Sequence, residues 1–185
     1  MTDIRDTIAA ERGELAEVLA GLSEDQWDAP SLCAGWRVRE VVAHMTAPYR
    51  HPEARFLLAE DADEINRAAD ELARADAARL TSAELAAAVR DNVRHPWQPD
   101  GYVGALCHDV IHGLDITVAL GLGRRVPPDR VRLVLDTVVP ERVGFFGVDL
   151  TGRRLVASDL DWSHGDGEEV IRPAQELLLH VCGRM

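Results

Sequence analysis

Apolar positions fall into helical spacing along most of the chain. In residues 3–21, DIRDTIAAERGELAEVLAG, Ile4, Ile8, Leu15, Val18 and Leu19 gather near one face of a helix that Gly21 stops. Ser23 and Gln26 form a capping-box pattern that opens a short helical turn. The loop APSLCAGW, with Pro30 and Gly35, then leads into a helix beginning near Val38. Val38, Val41, Val42 and Met45 are its apolar face, and Pro48 and Pro52 end or kink it. Residues 53–80 are rich in Ala, Glu, Asp and Arg without a clear apolar stripe, which predicts a mobile or surface helix. Thr81 and Glu84 repeat the capping box and start a helix that stops before His95-Pro96. A long helix follows from about Tyr102 to Leu120, ended by Gly121 and Gly123. Pro127-Pro128 starts another, with Val131, Leu135 and Val138 on its inner face.

After Pro140 the pattern changes. Residues 153–161 and 168–172 have strand character and flank a turn cluster, SHGDG at 163–167. Pro173 then opens a short final helix, AQELLLHV. These elements predict a mainly α protein, a four-helix bundle with a small C-terminal β-hairpin and a short final helix. No repeat or low-complexity linker divides it. Residues 1–185 are expected to form one domain, with 151–185 as its hairpin-and-helix extension.

Composition removes several function classes. A formal charge of −12 without a basic stripe excludes a nucleic-acid partner. The apolar runs are too short to cross a bilayer, and the start is unlike a signal peptide, so the expectation is cytoplasmic with no membrane partner. All 20 basic residues are Arg, which rules out Schiff-base chemistry on lysine. Cys33, Cys107 and Cys182 are widely spaced, so neither a disulfide framework nor a zinc knuckle is expected.

The candidate chemistry lies in CHDVIHGLD, residues 107–115. His108 and His112, four apart, project from one helix face and can hold one ion together. Asp115 shares that side, where it orients an imidazole or contacts a substrate as the catalytic candidate. A third ligand must come from another helix. His44 is that candidate, since it stands among Val41, Val42 and Met45. The spacing alone is weak, because ordinary core and surface histidines produce it too. Trp36 and Trp97 are candidates to wall a pocket. Arg37, Arg39 and Arg50 are candidates to bind a carboxylate beside the ion. Cys33 is a candidate thiolate ligand or nucleophile. Cys107 sits off the face shared by His108 and His112. His51, His95, His164 and His180 read as surface or turn residues.

DQWDAPSLCAGWRVREVVAHM, residues 25–45, resembles the second-helix signature of the mycothiol-dependent maleylpyruvate isomerase family. The likeness is carried by Trp27, Pro30-Ser31, Gly35-Trp36, Val38-Arg39, Glu40 and His44. CHDVIHGLDI resembles the helix that supplies that family's other ligands. The tail, LVASDLDWSHGDGEEV and PAQELLLHVCGR, is similar to its C-terminal segments. The resemblance implies a DinB/YfiT-like metal-binding bundle, with His44, His108 and His112 as metal ligands and Trp36 and Arg39 toward the cofactor. It further implies a divalent ion (zinc first, nickel or iron next) and mycothiol as thiol cosubstrate. The partners would then be a small thiol and an electrophilic substrate, with a homodimer as the candidate assembly. One departure stands out: the isomerases resemble His followed by Glu-x-x-x-His, and here His108 takes the Glu position. Two other readings stay open, a non-catalytic binding module and a metal-dependent hydrolase using Asp115 or Glu40 as base.

Overall fold

The computed structural model describes residues 3–53, 62–99, 101–141 and 143–185. Helix α1 spans Ile4–Ala20, a short α2 spans Glu24–Trp27, and α3 spans Val38–Arg50. Helices α4, Ala62–Arg79, and α5, Ser82–Arg90, follow. Then come α6, Gly101–Thr117, α7, Pro128–Glu141, and a 3-10 turn at Val143–Phe146. Strands β1, Arg153–Ala157, β2, Ser163–Gly165, and β3, Glu168–Arg172, precede the final α8, Ala174–Val181. Among the described residues, no helix is long and apolar enough to cross a membrane.

The starts that sequence predicts are built as expected. Ser23 and Gln26 cap α2 reciprocally, and Thr81 and Glu84 do the same for α5. At α3, the Glu40 carboxylate accepts from the backbone N–H of Arg37 at 2.8 Å. Pro48 neither ends this helix nor stops its packing: the helix runs on to Arg50, and Pro48 is buried within it.

Helices α1, α5, α3 and α6 pack in a closed ring, each against the next, and form a four-helix bundle. Helix α4 lies on α3, and α7 lies on the outer side of α6 and carries α8. The surface helix expected within 53–80 is therefore packed: Ala69, Ala73 and Ala77 are buried at four-residue spacing, together with Asp76. A stripe of alanines is too weakly apolar for periodicity to flag, yet it lets two helices approach closely. The part of that expectation falling on residues 54–61 lies outside the described residues.

Apolar residues collect on both sides of α6. Leu15, Leu19, Trp27, Val38, Val41, Val42, Leu85 and Ile116 fill the bundle. Leu106, Val110 and Leu114 turn outward to meet Val131, Leu135, Leu155, Leu177 and Val181. The C-terminal extension thus shares a core with α6.

The sheet departs from the expected pairing. Strand β1 makes a hairpin with β2, which runs through the predicted turn cluster, and β3 joins β1 on its other edge in parallel. To reach that edge the chain must cross the start of β1 within two residues. Gly165 and Gly167 allow it: both have positive φ, and a Cβ would meet Arg153 O at 2.5 Å and Gly152 O at 2.2 Å respectively. Alternation of side chains cannot distinguish a parallel from an antiparallel partner.

Candidate metal centre

Between positions 104 and 117 of α6, every residue is buried except His108 and His112. Over these turns the helix is packed all round except at these two side chains, and both face α3. There His44 meets them. The Nε2 atoms of His44 and His108 are 3.2 Å apart, and ring centroids of His44 and His112 are 5.0 Å apart. One ligand atom from each of the three lies within 4.8 Å of the others.

Two of the rings are fixed from behind. His108 donates from Nδ1 to Asp109 Oδ1 at 3.1 Å, and His112 donates from Nδ1 to Asp115 Oδ2 at 3.0 Å. A carboxylate oxygen accepts, so a neutral imidazole at either place carries its proton on Nδ1 and turns the Nε2 lone pair to the centre. Each carboxylate is in turn held by an arginine. Arg12 Nε reaches Asp109 Oδ2 at 2.6 Å, and Arg184 Nε reaches Asp115 Oδ1 at 2.8 Å. His44 differs: its Nδ1 is buried with no hydrogen-bond partner among the described residues.

Burial first, and then the neighbouring imidazoles of His112 and His108, pushes His44 well below the ordinary histidine range. Burial also lowers His108, against the pull of Asp109. Both are therefore neutral at neutral pH, the form that coordinates. Burial would raise the Asp115 carboxyl, but His112 and Arg184 outweigh it and hold it at about 2. Asp115 is 0% exposed, and its carboxylate is taken up by His112 and Arg184.

The donor set suits an ion. In a tetrahedral zinc site with bonds of roughly 2.0–2.1 Å, neighbouring nitrogens stand about 3.3 Å apart. His44 and His108 are already at 3.2 Å, and the ligand atoms of all three histidines lie within 4.8 Å of one another. A second trio, Cys33, His112 and Asp115, also converges. Here Arg184 Nη2 lies 3.5 Å from Cys33 Sγ and 3.3 Å from Asp115 Oδ2, so a cation is already in place. Burial, and then Asp115, pushes the Cys33 thiol up, and it donates to Asp115 Oδ2 at 2.9 Å. That favours a protonated thiol over the thiolate ligand or nucleophile considered from sequence.

The loop before α3 positions both Cys33 and Trp36. A bridge between Pro30 and Arg37 closes it, and Leu32 N–H donates to the Asp115 carbonyl at 3.0 Å. Trp36 packs on His44 with centroids 5.2 Å apart and donates from its indole to Asp70 at 2.6 Å. Trp97 meets His108 edge-on at 4.9 Å.

Arg39 is not brought to the cluster. Its guanidinium is engaged by Asp28, Glu24 and the Ala77 carbonyl. Arg37 is engaged by Glu40 and Asp28. Arg50 is held by Asp76 together with His51 and Arg79. His51 and His95, expected at the surface, are half-buried and partnered: His51 by Asp76, His95 by Arg12 and Tyr49. Sequence reasoning passed over Asp109, Arg12 and Arg184. Asp109 had a signal, a carboxylate on the buried side of an apolar helix. The two arginines had none, since their partners are 97 and 69 residues away.

Fold and site together define a four-helix bundle with a histidine cluster between two of its helices. Residues 8–97 match the family model of the mycothiol maleylpyruvate isomerase N-terminal domain. That segment contains His44 and ends before α6. The chain is similar in fold to the crystal structure of a histidine-to-alanine mutant of the mycothiol-dependent maleylpyruvate isomerase. That likeness has a TM-score of 0.55 at 13% identity, over 100% of this chain and 93% of that one. Comparison with curated proteins gave no match.

Proposed function

We propose that this protein binds one divalent ion through His44, His108 and His112 and catalyses a reaction of a small thiol with a small electrophile. Mycothiol is the thiol that the domain match favours, and S-transfer or thiol-assisted isomerisation is the reaction class. The observation that carries the reading is the convergence of three imidazoles, two of them fixed with Nε2 inward by buried carboxylates. Three protein ligands would leave a position for an exogenous group, the arrangement of a catalytic rather than a structural site. Imidazole donors suit zinc, with nickel and iron as alternatives.

A bound divalent ion would supply Lewis acidity that lowers the pKa of a thiol presented to it. The chain's own residues do the rest. Asp109 and Asp115 hold the rings, and Trp36 and Trp97 wall two of them and limit water. With His108 where the isomerases resemble a Glu, the ligand set is neutral and would leave more positive charge on the ion. This favours S-transfer over maleylpyruvate isomerisation as the first reaction to test.

The hydrolase reading loses its bases. Asp115 is fully buried and ion-paired, and Glu40 is 4% exposed and committed to Arg37. Metal analysis of the purified protein, followed by turnover of candidate thiols with an activated aryl halide, tests the proposal. Thiol consumption should depend on the metal and vanish in His112→Ala. A metal-loaded protein that turns over no thiol would leave the non-catalytic binding module as the better reading.

A further inference from the structure

Arg12 lies on α1, where a charged residue reads as solvated surface, yet its side chain is 2% exposed. Its Nε donates to Asp109 Oδ2 at 2.6 Å, and the other oxygen of that carboxylate accepts from His108. Its Nη1 donates to the His95 carbonyl at 2.9 Å. Two residues further on, the Trp97 backbone N–H donates to His95 Nδ1 at 3.2 Å, and the Trp97 ring abuts His108. The guanidinium also lies over the Tyr49 ring, which itself packs on His95 with centroids 4.6 Å apart. One buried cation therefore reaches the same imidazole by two routes, one polar and one through an aromatic wall.

A buried ion pair is weak evidence for stability, because well-packed apolar residues of similar volume commonly serve a fold as well or better. What the pair orients is then its better explanation. An arginine suits the task, since Nε and Nη1 leave a rigid plane in different directions and serve two acceptors at once. A lysine ammonium on a flexible stem is not organised to do both.

We propose that Arg12 is a positioning residue for the histidine cluster. Through Asp109 it fixes the tautomer and orientation of His108, and through His95 it holds Trp97 against the same ring. The consequence for metal affinity rests on the metal-binding reading above; the effect on the tautomer does not.

The test uses the full chain and two measurements. Nitrogen-15 NMR of the histidines in metal-free protein reads the tautomers, and chelator competition reads zinc affinity. In Arg12→Met, His108 should change from a single Nδ1–H form to a mixture, while His112, held by Asp115 and Arg184, keeps its signals. Zinc affinity should fall roughly 10–100-fold, the usual loss when an orienting group is removed. Arg12→Lys should keep the His108 tautomer but lose several-fold in affinity. A folded Arg12→Met with unchanged His108 signals overturns the proposal. If Arg12→Met does not fold, zinc affinity of Arg12→Lys within about twofold of wild type overturns it. Wild-type protein that binds no zinc would count against the metal reading alone, and the tautomer measurement would still judge Arg12.

Discussion

The Nε2 atoms of His44 and His108, 64 residues apart in sequence, lie 3.2 Å from each other. Two neutral imidazoles at that distance share at most one proton, because the Nε2 of His108 is an acceptor once Asp109 holds the proton on Nδ1. A divalent ion would use both lone pairs at once. Loss of either ring should then be felt equally. His44→Ala and His112→Ala should each lower metal affinity by more than the roughly 10–100-fold expected for losing an orienting carboxylate. Elemental analysis of dialysed protein checks this, with wild type at one ion per chain. Undiminished metal in His44→Ala would move the third ligand elsewhere.

The same burial gives a pH dependence with a definite sign. The folded pKa values of His44 and His108 are below the usual 6.5, with burial as the first cause for both. As pH falls below about 6.5, the unfolded chain takes up protons that the folded chain refuses. The stability of metal-free protein should therefore be full above that pH. It should decline below it, by up to about 1.4 kcal/mol per pH unit for each group, until the folded pKa is passed. Asp115 contributes nothing in this window: its carboxyl is held at about 2, so its share is lost only below about pH 4. Urea midpoints between pH 7.5 and 5 measure the slope, and His44→Gln should flatten it.

Much of this arrangement was legible in the sequence, for a physical reason. Helix periodicity, capping boxes and i, i+4 spacing are local, so α3, α5, α6 and the pairing of His108 with His112 could be read directly. His44 was legible because a polar ring among Val41, Val42 and Met45 contradicts its surroundings. The rest depends on long-range contacts. Glu11 and Arg12 are 0% and 1% exposed on a helix whose polar residues read as solvated. They are buried because Arg124, Arg130 and Asp109 meet them from helices and loops far along the chain. Charge type carries no record of such partners. Arg39 shows the same dependence: its place in the motif suggested the site, and in the fold its guanidinium pairs with Asp28 and Glu24.

Two glycines should respond to alanine in opposite ways. Gly167 has φ +123°, and an added Cβ would stand 2.2 Å from Gly152 O, so the crossing from β2 to β3 must shift. Gly167→Ala should cost about 2 kcal/mol or more. Gly13, inside α1, has nothing among the described residues within 4 Å of an added Cβ. Gly13→Ala should stabilise by up to about 1 kcal/mol through helix propensity. Denaturant midpoints of the two variants, compared with wild type, give both signs in one experiment.

Cys33 is the residue whose chemistry changes most between sequence and structure. From sequence it is a candidate thiolate, placed one loop before His44. In the fold its Sγ donates to Asp115 Oδ2 and lies 3.7 Å from His112 Nδ1. Burial and the adjacent carboxylate both oppose loss of the proton, and Arg184 offsets only part of that. A thiol in this state is a poor nucleophile, because reactivity follows the thiolate fraction and access. Cys182 is likewise raised, by burial first, to about 12. Native protein at pH 8 should therefore react very slowly with a thiol-specific disulfide reagent, and all three cysteines should react after unfolding. Cys33→Ser keeps a donor to Asp115, so metal content and thiol turnover should stay close to wild type. Fast labelling of Cys33 in the native state, or loss of metal in Cys33→Ser, would restore the thiolate role and make Cys33, His112 and Asp115 the trio to test.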